Sequence, residues 1–310
     1  MNALVLGPIS QTVISCHNLR FRFPDGKLGT SDCSLAIGRG ELFCLLGANG
    51  AGKTTLIRQI TGELTPEAGD IRVLGRDVPR EARAVKLHMG ILPQSVGLFG
   101  ALTVAQHLSS FAPLKGIRRS QRRDAIDRVI ATFRLEPLLT TRAAHLSLGQ
   151  QRWTLMALTL LGDPQILVLD EPTVGMDPGA RRDLWDILAK AKKRGVAILL
   201  TTHYLDEAER LADRVGFLNG GRLGLCGTLA ELYAAIGKSV RVSITNPDTG
   251  ACMDRILFDT LADAQRHVSE RGLAHYSVGR ITLDDIYLRL VAVDTASDGE
   301  MPHRDDEFTS

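Results

Sequence analysis

Aromatic residues make up only 5% of this chain, its net charge is close to zero, and its apolar runs are short. Each scarcity excludes something. The 37 basic residues against 35 acidic ones leave about +2, so no global field draws the chain to nucleic acid or an anionic membrane surface. The longest apolar windows, "QILVLDEP" and "GVAILLTTH", fall well short of the ~18–20 residues that a bilayer span needs. The opening "MNALVLGPIS" has neither a basic n-region nor a long apolar h-region and reads as a poor signal peptide. The cysteines at 16, 33, 44, 226 and 252 show no CxxC or metal-ligand spacing. Reduced thiols and a cytoplasmic address are the expectation. What remains is an ordinary globular composition, 44% apolar over 310 residues, enough for one large or two modest domains.

From about residue 12 to 45, apolar and polar positions alternate on either side of the turn "PDGK", which predicts a β-rich entry with a hairpin. The pattern then becomes strand, Gly-rich turn and helix in "LFCLLGANGAGKTTLIRQITG". Later come two apolar strands, "ILVLD" and "VAILLTT", each followed by helical periodicity. That alternation predicts an α/β chain with a buried parallel sheet. A charged, mostly helical stretch over about 95–162 reads as an inserted subdomain. Residues 237–293 read as a small α+β appendage, with strands in "SVRVSIT", "RILFD" and "HYSVG", a helix at "LADAQRHVSERG" and a last helix at "LDDIYLRLV". The tail 294–310 is polar, acidic and aperiodic, and reads as disordered.

"GANGAGKT" fits G-x-x-x-x-G-K-[ST] and sits between an apolar strand and a helix. The chemistry of a polyphosphate explains the pattern. Gly47, Ala48, Asn49, Gly50, Ala51 and Gly52 let successive amides curl around phosphate oxygens at a helix N-terminus. Lys53 then offers charge, and Thr54, followed by Thr55, a hydroxyl for Mg²⁺. In "ILVLDEPT", Asp170 and Glu171 end a buried strand, which is costly unless a cation or hydrogen bonds compensate. One reading makes Asp170 a ligand of Mg²⁺ through water and Glu171 the carboxylate that orients or deprotonates an attacking water. The other makes both carboxylates caps on strand-end amides.

"HLSLGQQRW" ends its "LSLGQQ" segment about 20 residues before Glu171. With it, the chain over residues 12 to about 230 resembles the ATP-binding cassette family, and Gln94 in "ILPQ", "VGMD" at 174–177 and His203 in "LLTTH" continue the likeness. The resemblance implies the ABC ATPase fold: a RecA-like P-loop core, an antiparallel β subdomain and an inserted helical subdomain, together spanning 12–236. It also implies ATP and Mg²⁺ as ligands, with the metal near Thr54, Gln94 and Asp170. Two cassettes pair head to tail in that family, so that Ser147, Leu148, Gly149 and Gln150 would close over ATP held by the partner's phosphate loop. Asp177 would couple the two sites, Gln94 would sense a transport domain, and His203 would contact the γ-phosphate. Phe23 in "RFRFPDG" matches the aromatic that stacks on adenine, with Phe21 as the alternative.

Two departures stand out. Leu148 replaces a usual glycine, and Trp153 a usually smaller residue. If position 148 needs positive φ, leucine would cost on the order of 1–2 kcal/mol; if φ is negative it is tolerable. "TTHYLDEAERLADRVGFLNGGRL" and the closing "ITLDDIYLRL" are most similar to cassettes of ABC-2 type exporters, including drug-resistance ones. That likeness implies separate membrane permease subunits, a second cassette that is a copy or a paralogue, and peripheral attachment at the inner membrane face. A coupling helix of the permease would dock near Gln94, against Leu98, Phe99 and Leu102, unless these pack inside the helical subdomain. The rival readings are a soluble cassette ATPase with no transport role, or a cassette of an importer or regulatory complex. The basic run "KGIRRSQRRD" has no interleaved aromatics and reads as a solvated helix face rather than a nucleic-acid patch.

Overall fold

The computed structural model describes residues 11–289; the expectations for the first ten residues and for the tail 294–310 fall outside it. The described chain divides into two compact units, one ending at Cys226 and the other starting at Gly227. The sequence pattern put the change near residue 236, and the intervening segment is a helix of the second unit.

The first unit opens with two antiparallel strands, β1 (Thr12–Arg22) and β2 (Leu28–Gly38), joined by the expected turn. After β3 (Leu42–Leu46) and helix α1 (Lys53–Ile60) come β4 (Ala68–Val73) and β5 (Arg76–Asp77). These complete a four-stranded sheet in the order β2-β1-β4-β5. Helix α2 (Val78–Lys86) leads to β6 (Met89–Leu92). The expected helical stretch holds α3 (Val104–Leu114), α4 (Arg122–Phe133) and α5 (Leu148–Leu160), with short 3-10 turns between them.

The chain then returns to the core through β7 (Ile166–Asp170), α6 (Pro178–Lys193), β8 (Ala197–Thr201), α7 (Leu205–Leu211), β9 (Arg214–Asn219) and β10 (Arg222–Gly227). The second sheet has the order β10-β9-β3-β8-β7-β6, with β9, β3, β8, β7 and β6 parallel to one another. Every residue of β3, β7 and β8 is buried. A strand covered on both faces has no polar side, which is why "ILVLD" and "AILLT" read as continuous apolar runs rather than alternations. Each fully buried Leu, Ile or Val there stabilises the fold by roughly 1.5–3 kcal/mol. The parallel arrangement directs the carboxyl ends of β3, β7 and β8 to one edge, where the turns after them gather the polar side chains.

The second unit contains α8 (Leu229–Ile236) and an antiparallel sheet of β11 (Val240–Thr245), β12 (Cys252–Phe258) and β13 (Tyr276–Arg280), ordered β12-β11-β13. Helix α9 (Leu261–Glu270) packs Ala264 and Val268 against Val242 of β11. Residues 283–289 are helical, as the closing motif implied. Within this unit Arg241 and Arg255 both face the buried Asp285, at 3.2 and 3.6 Å.

Candidate functional site

The loop between β3 and α1 is held open for a ligand by close backbone packing. A Cβ on Gly47 would lie 2.3 Å from the Leu218 carbonyl oxygen. One on Gly52, which caps α1 at φ 104°, would lie 2.2 Å from that of Gly29. No other residue fits these two positions without moving β-strand backbone. Lys53 is buried, and its Nζ donates to the carbonyls of Gly47 at 2.6 Å and Ala48 at 3.0 Å. Burial holds its pKa below the usual lysine value, against the opposing pull of Glu171 and Asp170.

Beside the loop is a cleft of ≈ 390 Å³ lined by Phe23, Asn49, Gly50, Lys53, Thr54 and Glu171, with Gln94 and Thr55 also on its wall. Phe23 lines it and Phe21 does not; Phe21 instead meets Phe23 edge-on, ring centroids 5.0 Å apart. A larger cleft of ≈ 560 Å³ lies at the opposite ends of the parallel strands, around Phe133, Gln165 and Val196, and includes none of Lys53, Thr54, Asp170 and Glu171.

Asp170 is 1% exposed, and its carboxylate is held by two hydroxyls, Thr54 Oγ1 at 2.8 Å and Thr201 Oγ1 at 2.5 Å. Neither oxygen accepts a strand-end amide in these bonds, so the capping alternative does not describe Asp170. Hard oxygen donors from Thr54 and Asp170 beside the phosphate loop suit Mg²⁺, whose remaining ligands would come from phosphate and water. Among the described residues no group of three or more His, Cys, Asp or Glu converges into a metal cage.

Glu171 is 7% exposed and adopts φ +49°, the left-handed region that a non-glycine residue enters at a cost of roughly 1–3 kcal/mol. Its amide donates to the backbone oxygen and the side-chain oxygen of Thr201, each at 3.1 Å. Its carboxylate accepts from Gln94 Nε2 at 3.3 Å and lies 3.6 Å from His203 Nδ1. The imidazole of His203 packs against Tyr204, centroids 4.1 Å apart. Lys53, Thr54, Gln94, Asp170, Glu171 and His203 thus converge, although they come from separate turns of the sheet edge. The set offers a cation and amides for a polyphosphate, a buried carboxylate for a metal, and a second carboxylate placed to act on water.

The signature residues lie elsewhere. Ser147 caps α5, accepting from the Gln150 amide at 3.2 Å, while the Gln150 side chain accepts from the Ser147 amide at 3.0 Å. Leu148 therefore occupies the first helical position, is not among the residues with positive φ, and is 78% exposed. The strain considered for it is absent. Ser147, Leu148, Gly149 and Gln150 do not line the cleft of their own chain. Asp177 caps α6, accepting from the amides of Gly179 at 2.8 Å and Ala180 at 3.0 Å, and these bonds hold its carboxyl below the usual carboxylate range. Trp153 has a packing role: its indole N–H donates to the Phe133 carbonyl at 2.8 Å and its ring meets Phe133 edge-on.

Two residues that the sequence reading passed over are central to the geometry, Thr201 and Arg152. Thr201 is the hydroxyl shared between Asp170 and the Glu171 amide. Arg152, in α5, donates to four main-chain carbonyls: Pro172 at 3.1 Å, Gln94 at 3.4 Å, Asp170 at 3.0 Å and Glu171 at 2.6 Å. A polar side chain in the run that follows a helix cap was the only available signal, and it does not say what the side chain reaches.

Comparison with known proteins gives the family. The ABC transporter family model matches residues 30–174. The Nod factor export ATP-binding protein I of Paraburkholderia xenovorans is 36% identical over 274 residues, covering 83% of this chain and 90% of that protein. The daunorubicin resistance ATP-binding protein DrrA3 of Streptomyces coeruleorubidus is 34% identical over 311 residues, covering 92% of this chain and 98% of that protein. A solved structure described as the ATP binding subunit of an ABC transporter superposes with a TM-score of 0.68 at 30% identity, covering 73% of this chain and 94% of that one. The chain belongs to the ABC transporter family as one of its ATP-binding, ATP-hydrolysing subunits.

Proposed function

We propose that this chain powers an exporter by binding two MgATP between paired cassettes and hydrolysing them, with closure of the pair transmitted to separate membrane subunits. The observation that carries the pairing is the split of the site. The phosphate loop and Glu171 form one half, whereas the capped N-terminus of α5, with Ser147 and Leu148 exposed, does not line that cleft. A second cassette, a copy or a paralogue, brings the missing half. Gly47 to Thr55 cradle the phosphates, Lys53 offsets their charge, and Phe23 stacks on the base. Thr54 and Asp170, with Gln94 at the same edge, would hold Mg²⁺, which would supply positive charge to the polyphosphate. Glu171 orients the attacking water and takes its proton, while His203 contacts the terminal phosphate and keeps the water in place. Asp177 lies at the start of α6 and links the two sites of the pair.

Export rests on the relatives, two of which are named for Nod factor export and for daunorubicin resistance. Among the described residues no helix is long and apolar enough to cross a membrane, and in this reading membrane attachment runs through a partner subunit. The surface suited to that partner lies after Gln94, where Phe99 is 64% exposed, Leu98 and Leu102 are half-buried, and Val96, which the sequence did not single out, is also exposed. Its backbone is fixed by His107, whose Nε2 accepts from the Phe99 amide at 2.9 Å while Nδ1 faces the Thr103 carbonyl at 2.8 Å. In the basic run, Arg123 pairs with Asp127 along α4, and Arg122 donates to the Ile117 carbonyl at 3.0 Å. The test is affinity purification of the tagged chain from detergent-solubilised native membranes. A co-purifying integral membrane subunit whose presence stimulates MgATP turnover in liposomes supports the reading; substrate accumulating inside inside-out vesicles gives the export direction. Full ATPase activity with no membrane partner and no effect of liposomes contradicts it.

A further inference from the structure

Glu171 presents a physical problem. It sits at φ +49°, where the backbone is strained, yet its carboxylate must be aimed with ångström precision. Strain of this size persists only where neighbours over-determine the conformation. On the amide side the neighbour is Thr201. On the carbonyl side it is Arg152, whose Nη2 donates to the Glu171 oxygen at 2.6 Å, the shortest of its four bonds. The same guanidinium takes the carbonyls of Asp170, Pro172 and Gln94, so one planar group spans the turn after β7 and the turn after β6. Burial lowers the Arg152 pKa, while the nearby Asp170 and Glu171 act in the opposite direction and favour its charged form. Arg152 stands five residues after Ser147, in the first half of α5.

We infer that Arg152 is a positioning residue for hydrolysis: its guanidinium clamps four carbonyls and holds Glu171 in the conformation that aims its carboxylate, tying that aim to the helix that presents Ser147. The helix engaged by the partner's ATP and the carboxylate that acts on water are then joined by a single side chain. When α5 moves on pairing, the peptide after Glu171 moves with it. Lysine cannot replace this link, because one ammonium has no fork with which to reach both turns.

The inference rests on the reading of Glu171 as the hydrolytic carboxylate, and the test separates the two. Turnover of MgATP is measured for wild type, Glu171→Gln, Arg152→Lys and Arg152→Met. ATP-dependent dimerisation is measured for Glu171→Gln with and without Arg152→Met. The expected result is a fall in kcat of about 100-fold for Arg152→Met, the scale of a 1 Å misplacement of a catalytic group, with KM within about twofold. Arg152→Lys lies between the two. In the Glu171→Gln background, Arg152→Met leaves the ATP concentration needed for dimerisation within about twofold, because the signature helix is intact. Near-normal kcat in both Arg152 variants overturns the inference. So does loss of ATP-dependent dimerisation on adding Arg152→Met, since Arg152 would then merely support α5. Wild-type turnover by Glu171→Gln overturns the reading of Glu171 itself, and with it the inference.

Discussion

Replacing Leu148 by glycine, the residue common at this position in the family, gives a stability change whose sign depends on one backbone angle. Leu148 is the first residue of α5, its φ is not in the left-handed region, and 78% of it is exposed. The Leu148→Gly variant therefore loses little buried surface and relieves no strain. It gains only chain freedom in the unfolded state, which costs about 0.5–1 kcal/mol. For a unit of this size each kcal/mol moves Tm by roughly 2–4 °C, so a fall of about 1–4 °C follows. A left-handed position would behave oppositely: glycine would relieve about 1–2 kcal/mol and raise Tm. The assay is calorimetry of nucleotide-free protein, with the relevant transition identified as the one that MgATP shifts upward. A higher Tm for Leu148→Gly would refute the reasoning, because the exposed side chain offers no other source of stabilisation on its removal.

Three further outcomes follow from the geometry. Thr201→Val keeps shape but removes the hydroxyl between Asp170 and the Glu171 amide, and urea unfolding should show a loss of about 1.5–3 kcal/mol; a loss below about 0.5 kcal/mol contradicts the bonding described. Phe23→Ala should weaken ATP binding about 5- to 10-fold in a fluorescent-nucleotide titration while Phe21→Ala leaves it nearly unchanged, and the reverse order would exchange their roles. Glu207 is buried against Trp185 and Thr173, and burial raises its carboxyl pKa despite those bonds. A carboxyl whose folded pKa is raised stabilises the fold below the unfolded value and loses that contribution as pH rises through the folded one. Glu207→Gln should therefore be more stable than wild type at pH 8, with an advantage that shrinks as pH falls towards 4.5. An advantage independent of pH would contradict the assignment.

Much of the core and part of the site could be read along the chain, for physical reasons that differ. β7 and β8 were legible because burial on both faces leaves an uninterrupted apolar run, and the phosphate loop because its amides, lysine and hydroxyl must follow one another in order. The convergence of Gln94, Glu171 and His203 came only through resemblance, since nothing local to any of them shows the other two. Arg152 and Thr201 were not legible at all. Arg152 reaches carbonyls 18 to 58 residues away, and Thr201 reaches Asp170 across 31 residues, so their partners are fixed by sheet order rather than by spacing. Leu148 is a different case. Ser147 and Gln150 form the S-x-x-Q pattern of a capping box, and that pattern alone places the next residue at a helical first position with negative φ. The local rule already answered the question that comparison with a glycine raised.

The measurement that bears most directly on the account is light scattering of Glu171→Gln after size-exclusion chromatography, with and without ATP, alongside the same protein carrying Ser147→Arg. The account predicts a dimer that appears only with ATP and disappears when the added side chain crowds the exposed end of α5. A monomer at saturating ATP, or a dimer indifferent to Ser147→Arg, would contradict a site completed by the α5 helix of a second copy.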